Sequence, residues 1–247
     1  MAKEISKSQI DRLGDRLKKG NIGETELRML DQYRRSYTEA YEIVVGAIRK
    51  DLSLEPTGRP AKSTTSIAEK LRRESIRLTQ IQDIAGCRLI TTDIADQNQV
   101  IQSLNSLFED VTIVDRRQQP SHGYRAVHVI VRCREKLIEI QIRTELQHLW
   151  AELSEKYSDV VDPTIKYGGG DKEIRELLAS TSSLIGGNEN VEMALTQMQT
   201  SLSCAENMPE IIQRIADIEK QTASNKHRMF KILRDSIGNV DKLKEGN

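Results

Sequence analysis

Cysteine and aromatic side chains are scarce in this sequence, neither sign of charge prevails, and long apolar runs are missing. The three cysteines, Cys87, Cys133 and Cys204, are odd in number and never spaced C-x-x-C, which argues against a disulfide framework or a zinc site and fits a reducing cytoplasm. No stretch approaches the ~18 apolar residues of a membrane helix. The opening M-A-K-E-I-S-K-S-Q-I-D-R lacks the apolar core of a signal peptide, so no membrane partner is expected. Lys plus Arg equals Asp plus Glu at 37 each, so the molecule as a whole does not advertise itself to polyanions and any phosphate site must be local. Aromatics at 4% beside charged residues at 30% describe a helix-rich protein with ionic outer faces. A length of 247 residues allows one good core and room for two small domains.

What is present divides the chain into three, at 1–50, 51–162 and 163–247. In the first part Ile10, Leu13 and Leu17 recur at helical spacing before the stop at Gly20-Asn21. A second helix is expected from Gly23-Glu24 to Ile48, with Leu27, Leu30, Tyr33, Tyr37, Tyr41, Val44, Val45 and Ile48 on one stripe. Pro56 to Pro60 reads as a turn-rich connector. Behind it, Arg59 and Lys62 lie on a loop entering a helix whose first turn holds Ser63, Thr64, Thr65 and Ser66. Hydroxyls there are ordinary caps, yet the same geometry aims free N–H groups and a positive dipole end at whatever lies in front, which suits a phosphate chain. From Arg59 to Arg77 six basic residues face two acidic ones, so this neutral chain carries one basic segment.

Asp83 stands at the entry to a strand through Cys87-Arg88-Leu89-Ile90, with Ala85 and Gly86 small enough to admit a ligand close to the backbone. A helix over 96–108 and a short strand over 111–114 follow, then the polar loop 115–122, whose cations are Arg116 and Arg117. The stretches 123–134 and 137–144, joined by Glu135-Lys136, read as an antiparallel hairpin. On its second strand Ile138, Ile140 and Ile142 alternate with Glu139, Gln141 and Arg143, a core face against a polar row. Tyr124 and His128, four residues apart, are expected on one face of the first strand, with Tyr124 placed to stack on a base. Two carboxylates on neighbouring strands, Asp83 and Glu139, among phosphate-directed cations (Arg59, Lys62, Arg88, Arg143) are what phosphoryl chemistry requires. A hard divalent ion takes oxygen ligands and a carboxylate can accept the proton of an attacking hydroxyl.

A helix over 145–157 carries Leu146, Leu149, Trp150 and Leu153 inward. Pro163 and Gly168-Gly169-Gly170 read as a hinge ending the globular pattern, and 171–247 as a helical tail broken at Gly186-Gly187 and Asn207-Met208-Pro209. Packing on the domain and service as a partner surface both remain open for that tail.

In the order G-R-x-x-K, D-I-A-G-x-R, G-Y-R-x-x-H and E-I-Q-I-R-T, the motifs between Gly58 and Lys156 resemble the synthetase domain of the RelA/SpoT family, of the small alarmone synthetase type. That resemblance implies an α+β fold, a nucleotidyltransferase-like mixed sheet flanked by helices, here with N-terminal and C-terminal helical extensions. It implies an ATP-dependent diphosphotransferase that moves the β,γ-diphosphate of ATP to the 3′-hydroxyl of GTP or GDP with Mg²⁺ as cofactor. By resemblance Asp83 and Glu139 are the catalytic and magnesium-binding carboxylates, and Arg59, Lys62, Ser66 and Arg88 bind ATP. Tyr124, His128, Gln141, Arg143 and His148 fall on the acceptor side. Two departures stand out: Gln118 to His122 lacks the lysine usual ahead of the Gly-Tyr pair, and His148 stands where an asparagine for guanine often lies. Toxic family members have a similarly altered acceptor side, so the CCA end of tRNA or an adenine nucleotide is the alternative acceptor, and an idle binding module a third reading. A second copy or an antitoxin would be met by the helical extensions. The family's hydrolase half has no counterpart in the sequence.

Overall fold

The computed structural model describes residues 5–202 and 209–245. Helix α1 (Lys7–Lys19) starts at a Ser6 and Gln9 capping box and ends at Gly20 in the left-handed region. The stripe expected as one helix over 23–48 is two, α2 (Glu24–Arg35) and α3 (Thr38–Leu52). At the break the Ser36 hydroxyl donates to the Tyr33 carbonyl, and Tyr37 N–H reaches back three residues to Arg34. The local tightening lets Tyr33 and Tyr37 meet edge to face with their hydroxyls 2.9 Å apart.

Within the connector expected at Pro56 to Pro60, the chain forms a short strand, β1 (Thr57–Arg59), which alternation cannot reveal over three residues. It pairs antiparallel with β2 (Ala85–Thr91), Thr57 opposite Arg88 and Arg59 opposite Gly86. Between them lies α4 (Thr64–Arg73), capped by Ser63. Then come α5 (Ile94–Leu107), β3 (Val111–Asp115), β4 (Val127–Cys133) and β5 (Lys136–Thr144). The strands form one mixed sheet in the order β1-β2-β5-β4-β3. Arg134 and Glu135, both at positive φ, make the tight turn of the β4–β5 hairpin.

Helix α6 (Glu145–Val160) follows β5 directly, capped by Thr144. Helices α7 (Lys172–Leu202) and α8 (Pro209–Glu245) complete the order. The residues before Pro209 at the second expected break lie outside the described residues, as does Cys204. At Gly186-Gly187 there is no break. The expected hinge is packed structure as well: Ile165, in the 3-10 turn Ile165–Tyr167, is buried with Leu146, Trp150, Leu153, Leu178, Ile185, Leu233 and Val240. Both α7 and α8 pack on α6.

The chain divides into two compact units. Unit 1 comprises Met1–Leu89, Ser103–Ile113 and His128–Gln141, and unit 2 comprises Ile90–Gln102, Val114–Val127 and Ile142–Asn247. In unit 1, Leu17, Ile48, Ile67, Leu71, Leu78, Ile84, Ile138 and Ile140 are fully buried, and α1 packs on α4 and on the 3-10 turn Leu78–Gln80. In unit 2 the apolar faces of α6, α7 and α8 enclose the cluster around Trp150, whose indole N–H donates to the Leu178 carbonyl at 2.8 Å. Among the described residues no helix is long and apolar enough to cross a membrane.

Candidate active site

Both faces of β5 are buried, not one: alongside the three isoleucines, Glu139 is 9% and Arg143 4% exposed. A buried charge must find partners or shift its pKa, and the partners of Glu139 are specific. His128 Nδ1 lies 2.8 Å from Glu139 Oε1, and Gln141 Nε2 donates to Oε2 at 2.9 Å. Burial pushes the Glu139 carboxyl up, but the hydrogen bond and charge of His128 outweigh it, with help from Gln141 and against the nearby Asp83 charge. The balance lies below the ordinary glutamate value, so the carboxylate is ionised and able to accept a proton.

The strand brought up beside it explains Gly86, though not as expected. A Cβ at Gly86 would sit 2.5 Å from the Glu139 carbonyl oxygen, so the missing side chain admits the neighbouring strand and not a ligand. Gly86→Ala is therefore expected to displace β5 at Glu139. Urea unfolding should show a loss of about 1–3 kcal/mol, the size typical of an overpacked position; an unchanged unfolding free energy would contradict this account of Gly86.

Asp83 precedes β2 and carries two ammonium groups, those of Lys62 and Lys70, the latter at 3.0 Å. Burial raises its pKa, but the two lysines outweigh it and hold the carboxyl below the ordinary aspartate range. Lys62 is itself fixed by its backbone N–H, 2.6 Å from the Ile84 carbonyl. Lys70, two turns into α4, was hidden in the sequence as one more member of a basic run. Ser63 takes the cap that the hydroxyl cluster promised, and its Oγ donates to Ser66 Oγ at 2.8 Å. Much of the basic surplus is spent inside the unit, with Arg72 donating to the Lys18 carbonyl, Arg73 pairing with Glu74 and Arg77 facing Asp11. Arg88 lies on β2 opposite Thr57. Arg59 pairs through its backbone with Gly86, while its side chain lies outside the described residues.

The remaining expected residues belong to unit 2. Tyr124 lies ahead of β4, in a bridge with Ser121 that its N–H closes at 2.9 Å, so the strand alternation expected to join it to His128 does not apply. The reason is local: His122 and Gly123, both at positive φ, turn the chain before the strand can begin. The partner of Tyr124 is Arg143, whose guanidinium lies 5.0 Å from the ring centroid and donates to the hydroxyl at 3.0 Å. His148 is on α6, partly exposed. In the loop, Arg117 is tied to Asp115, and to Asn98 at 2.6 Å, whereas Arg116 has a buried Nε with no hydrogen-bond partner among the described residues.

No group of three or more His, Cys, Asp or Glu side chains among the described residues could hold a metal ion. A magnesium ion asks for less, since it commonly takes one or two carboxylates and completes its shell with water and substrate phosphate. Asp83 and Glu139, close enough for their charges to interact and both held ionised, fit that requirement.

Part of the chain is similar to known proteins. Residues 58–158 match the model described as the region found in RelA / SpoT proteins. An uncharacterized protein of Mycobacterium tuberculosis is 39% identical over 115 residues, 45% of this chain and 42% of that protein. A guanosine-3′,5′-bis(diphosphate) 3′-pyrophosphohydrolase of Aquifex aeolicus is 32% identical over 53% of this chain and 19% of its own length. The chain thus spans less than half the length of these relatives. The crystal structure of small alarmone synthetase 1 from Bacillus subtilis, bound to its product pppGpp, superposes with a TM-score of 0.54 at 25% identity, covering 70% of this chain and 99% of that one. Residues 58–158 are thus similar to the RelA / SpoT region, and the α+β fold is that of the small alarmone synthetases.

Proposed function

We propose that this chain transfers the β,γ-diphosphate of ATP to the 3′-hydroxyl of GDP or GTP, making (p)ppGpp and releasing AMP. The observation that carries the reading is the pairing of two ionised carboxylates, Asp83 and Glu139, with two lysines already directed at one of them. Relatives support it: a probable GTP diphosphokinase of Arabidopsis thaliana is 33% identical over 37% of this chain and 13% of its own length. The pppGpp of the Bacillus structure is a product of the same kind.

Glu139 accepts the proton of the 3′-hydroxyl, and the oxygen attacks the β-phosphorus of ATP as the bond from that phosphorus to the α,β-bridging oxygen breaks. His128 and Gln141 hold the carboxylate in place. Asp83 and Glu139 would hold magnesium, which when bound offsets charge on the phosphates. Lys62 and Lys70, released from Asp83, are then free to meet the diphosphate, with Ser66, Arg88 and Arg59 assigned to the ATP side. On the acceptor side we assign the base to Tyr124 and Arg143, its phosphates to Arg116, and a supporting place to His148.

Incubation with γ-labelled ATP, magnesium and separate acceptors tests the proposal. Label on GDP or GTP is expected; label on tRNA or ATP alone would overturn the guanine assignment. Tyr124→Ala is expected to weaken transfer by about 1–3 kcal/mol, the worth of one stacked base. An unchanged kcat/KM for the acceptor would take Tyr124 out of the site.

A further inference from the structure

Helix α7 lies beyond the residues that match the family, yet one of its faces is fitted to the Tyr124–Arg143 pair. A glycine inside a helix is less favourable than alanine by about 1 kcal/mol, and α7 contains two in succession. They differ in what surrounds them. A Cβ at Gly187 would meet nothing within 4 Å, whereas one at Gly186 would lie 2.6 Å from Arg125 Cζ and 2.7 and 2.8 Å from its terminal nitrogens. The Arg125 guanidinium therefore lies directly on the helix backbone, in a space that only glycine leaves open.

Four residues before Gly186 and three after it, hence on the same face, stand Ser182 and Glu189, both buried. Arg125 Nε donates to the Ser182 carbonyl and to its Oγ, both at 3.1 Å, and Ser182 Oγ donates to the Gly123 carbonyl at 2.6 Å. Glu189 Oε1 accepts from Thr144 Oγ1 at 2.8 Å and from Gln147 Nε2 at 2.9 Å. Gly123 and Arg125 flank Tyr124, and Thr144 follows Arg143. One helix face thus holds the backbone on both sides of the tyrosine and directly after the arginine that meets it.

We infer that α7 belongs to the acceptor site, with Ser182, Gly186 and Glu189 as positioning residues that set the Tyr124–Arg143 pair. The inference rests on the proposed function, since it assumes that this pair receives the acceptor base. It separates the roles of two regions: ATP is handled by the Asp83 cluster, so disturbing α7 should alter recognition of one substrate and spare the other. A helix that merely stabilised the fold would move both constants together.

The test is the KM for GDP and the KM for ATP in the full chain for Gly186→Leu, Glu189→Leu, Glu189→Gln and Tyr124→Ala. Gly186→Leu and Glu189→Leu are each expected to raise the KM for GDP tenfold or more and to leave that for ATP within twofold. Glu189→Gln keeps an acceptor oxygen for Thr144 and Gln147 and should recover most of that loss. In a Tyr124→Ala background Gly186→Leu should add less than a further twofold, because residues acting through one another are not additive. Should Gly186→Leu fail to fold, the two Glu189 variants carry the comparison. Equal rises in both KM values, or no change in either, would overturn the role of α7 if Tyr124→Ala itself raises the KM for GDP. If Tyr124→Ala leaves that constant unchanged, the acceptor assignment falls and the inference with it.

Discussion

Glu139→Gln is expected to lower the rate of diphosphate transfer by roughly 10²–10⁴-fold, the range for loss of a well-placed general base, while ATP affinity stays within about threefold. The amide keeps the shape of the side chain and one acceptor oxygen, so His128 and Gln141, 2.8 and 2.9 Å from the native carboxylate, retain part of their contacts. What disappears is the charge. An amide cannot take the proton of the 3′-hydroxyl, and it contributes far less to a divalent ion than a carboxylate does. Because Glu139 is buried and held ionised by its neighbours, the variant should also lose some stability, and a urea titration can verify that it still folds. Turnover near the parent's in a folded Glu139→Gln would remove this residue from the mechanism.

Asp83→Asn is expected to behave differently, because the proposal gives Asp83 two tasks. In the absence of substrate it neutralises Lys62 and Lys70, whose side chains are 17% and 21% exposed. Removing one member of a partly buried charge group leaves the others uncompensated, at roughly 3 kcal/mol, so a drop in unfolding midpoint is expected. Activity should fall about 100-fold or more, and the magnesium concentration giving half-maximal rate should rise. The two lysines, no longer held by a carboxylate, should bind the ATP phosphates more tightly than in the parent when magnesium is withheld by a chelator. Titration of ATP in that condition reads this directly. Weaker binding there, with an unshifted magnesium dependence, would mean that Asp83 serves neither the metal nor the lysines.

The parts of this protein that the sequence discloses are those where one periodicity holds for several residues. The alternation of Ile138, Ile140 and Ile142 with Glu139, Gln141 and Arg143 places β5 and its inward isoleucines, and the hydroxyls from Ser63 to Ser66 mark the start of α4. The motif order from Gly58 to Lys156 leads to the same RelA / SpoT region that residues 58–158 match. What stays hidden depends on contacts distant in sequence. Lys70 joins Asp83 only because α4 lies beside the entry to β2, and nothing in a run of basic residues marks it out. Gly186 reads as a helix breaker until the Arg125 guanidinium is seen against it. Tyr124 reads as a strand residue because the left-handed backbone of His122 and Gly123 leaves no period to detect. Gly168 to Gly170 reads as a hinge because glycine marks conformational freedom in an isolated segment, and only the burial of Ile165 beside it shows that this freedom is used for a packed turn.

The most direct test of the central claim, diphosphate transfer from ATP to a guanine nucleotide at the Asp83–Glu139 site, is the stoichiometry of products from ATP and GDP with magnesium. Separated by anion exchange and weighed by mass spectrometry, the products should be AMP and a guanosine carrying diphosphates at both 5′ and 3′ positions, formed one for one, and both formed roughly 10²–10⁴-fold more slowly by Glu139→Gln. Formation of ADP in place of AMP, or of AMP with GDP unconsumed, would contradict it.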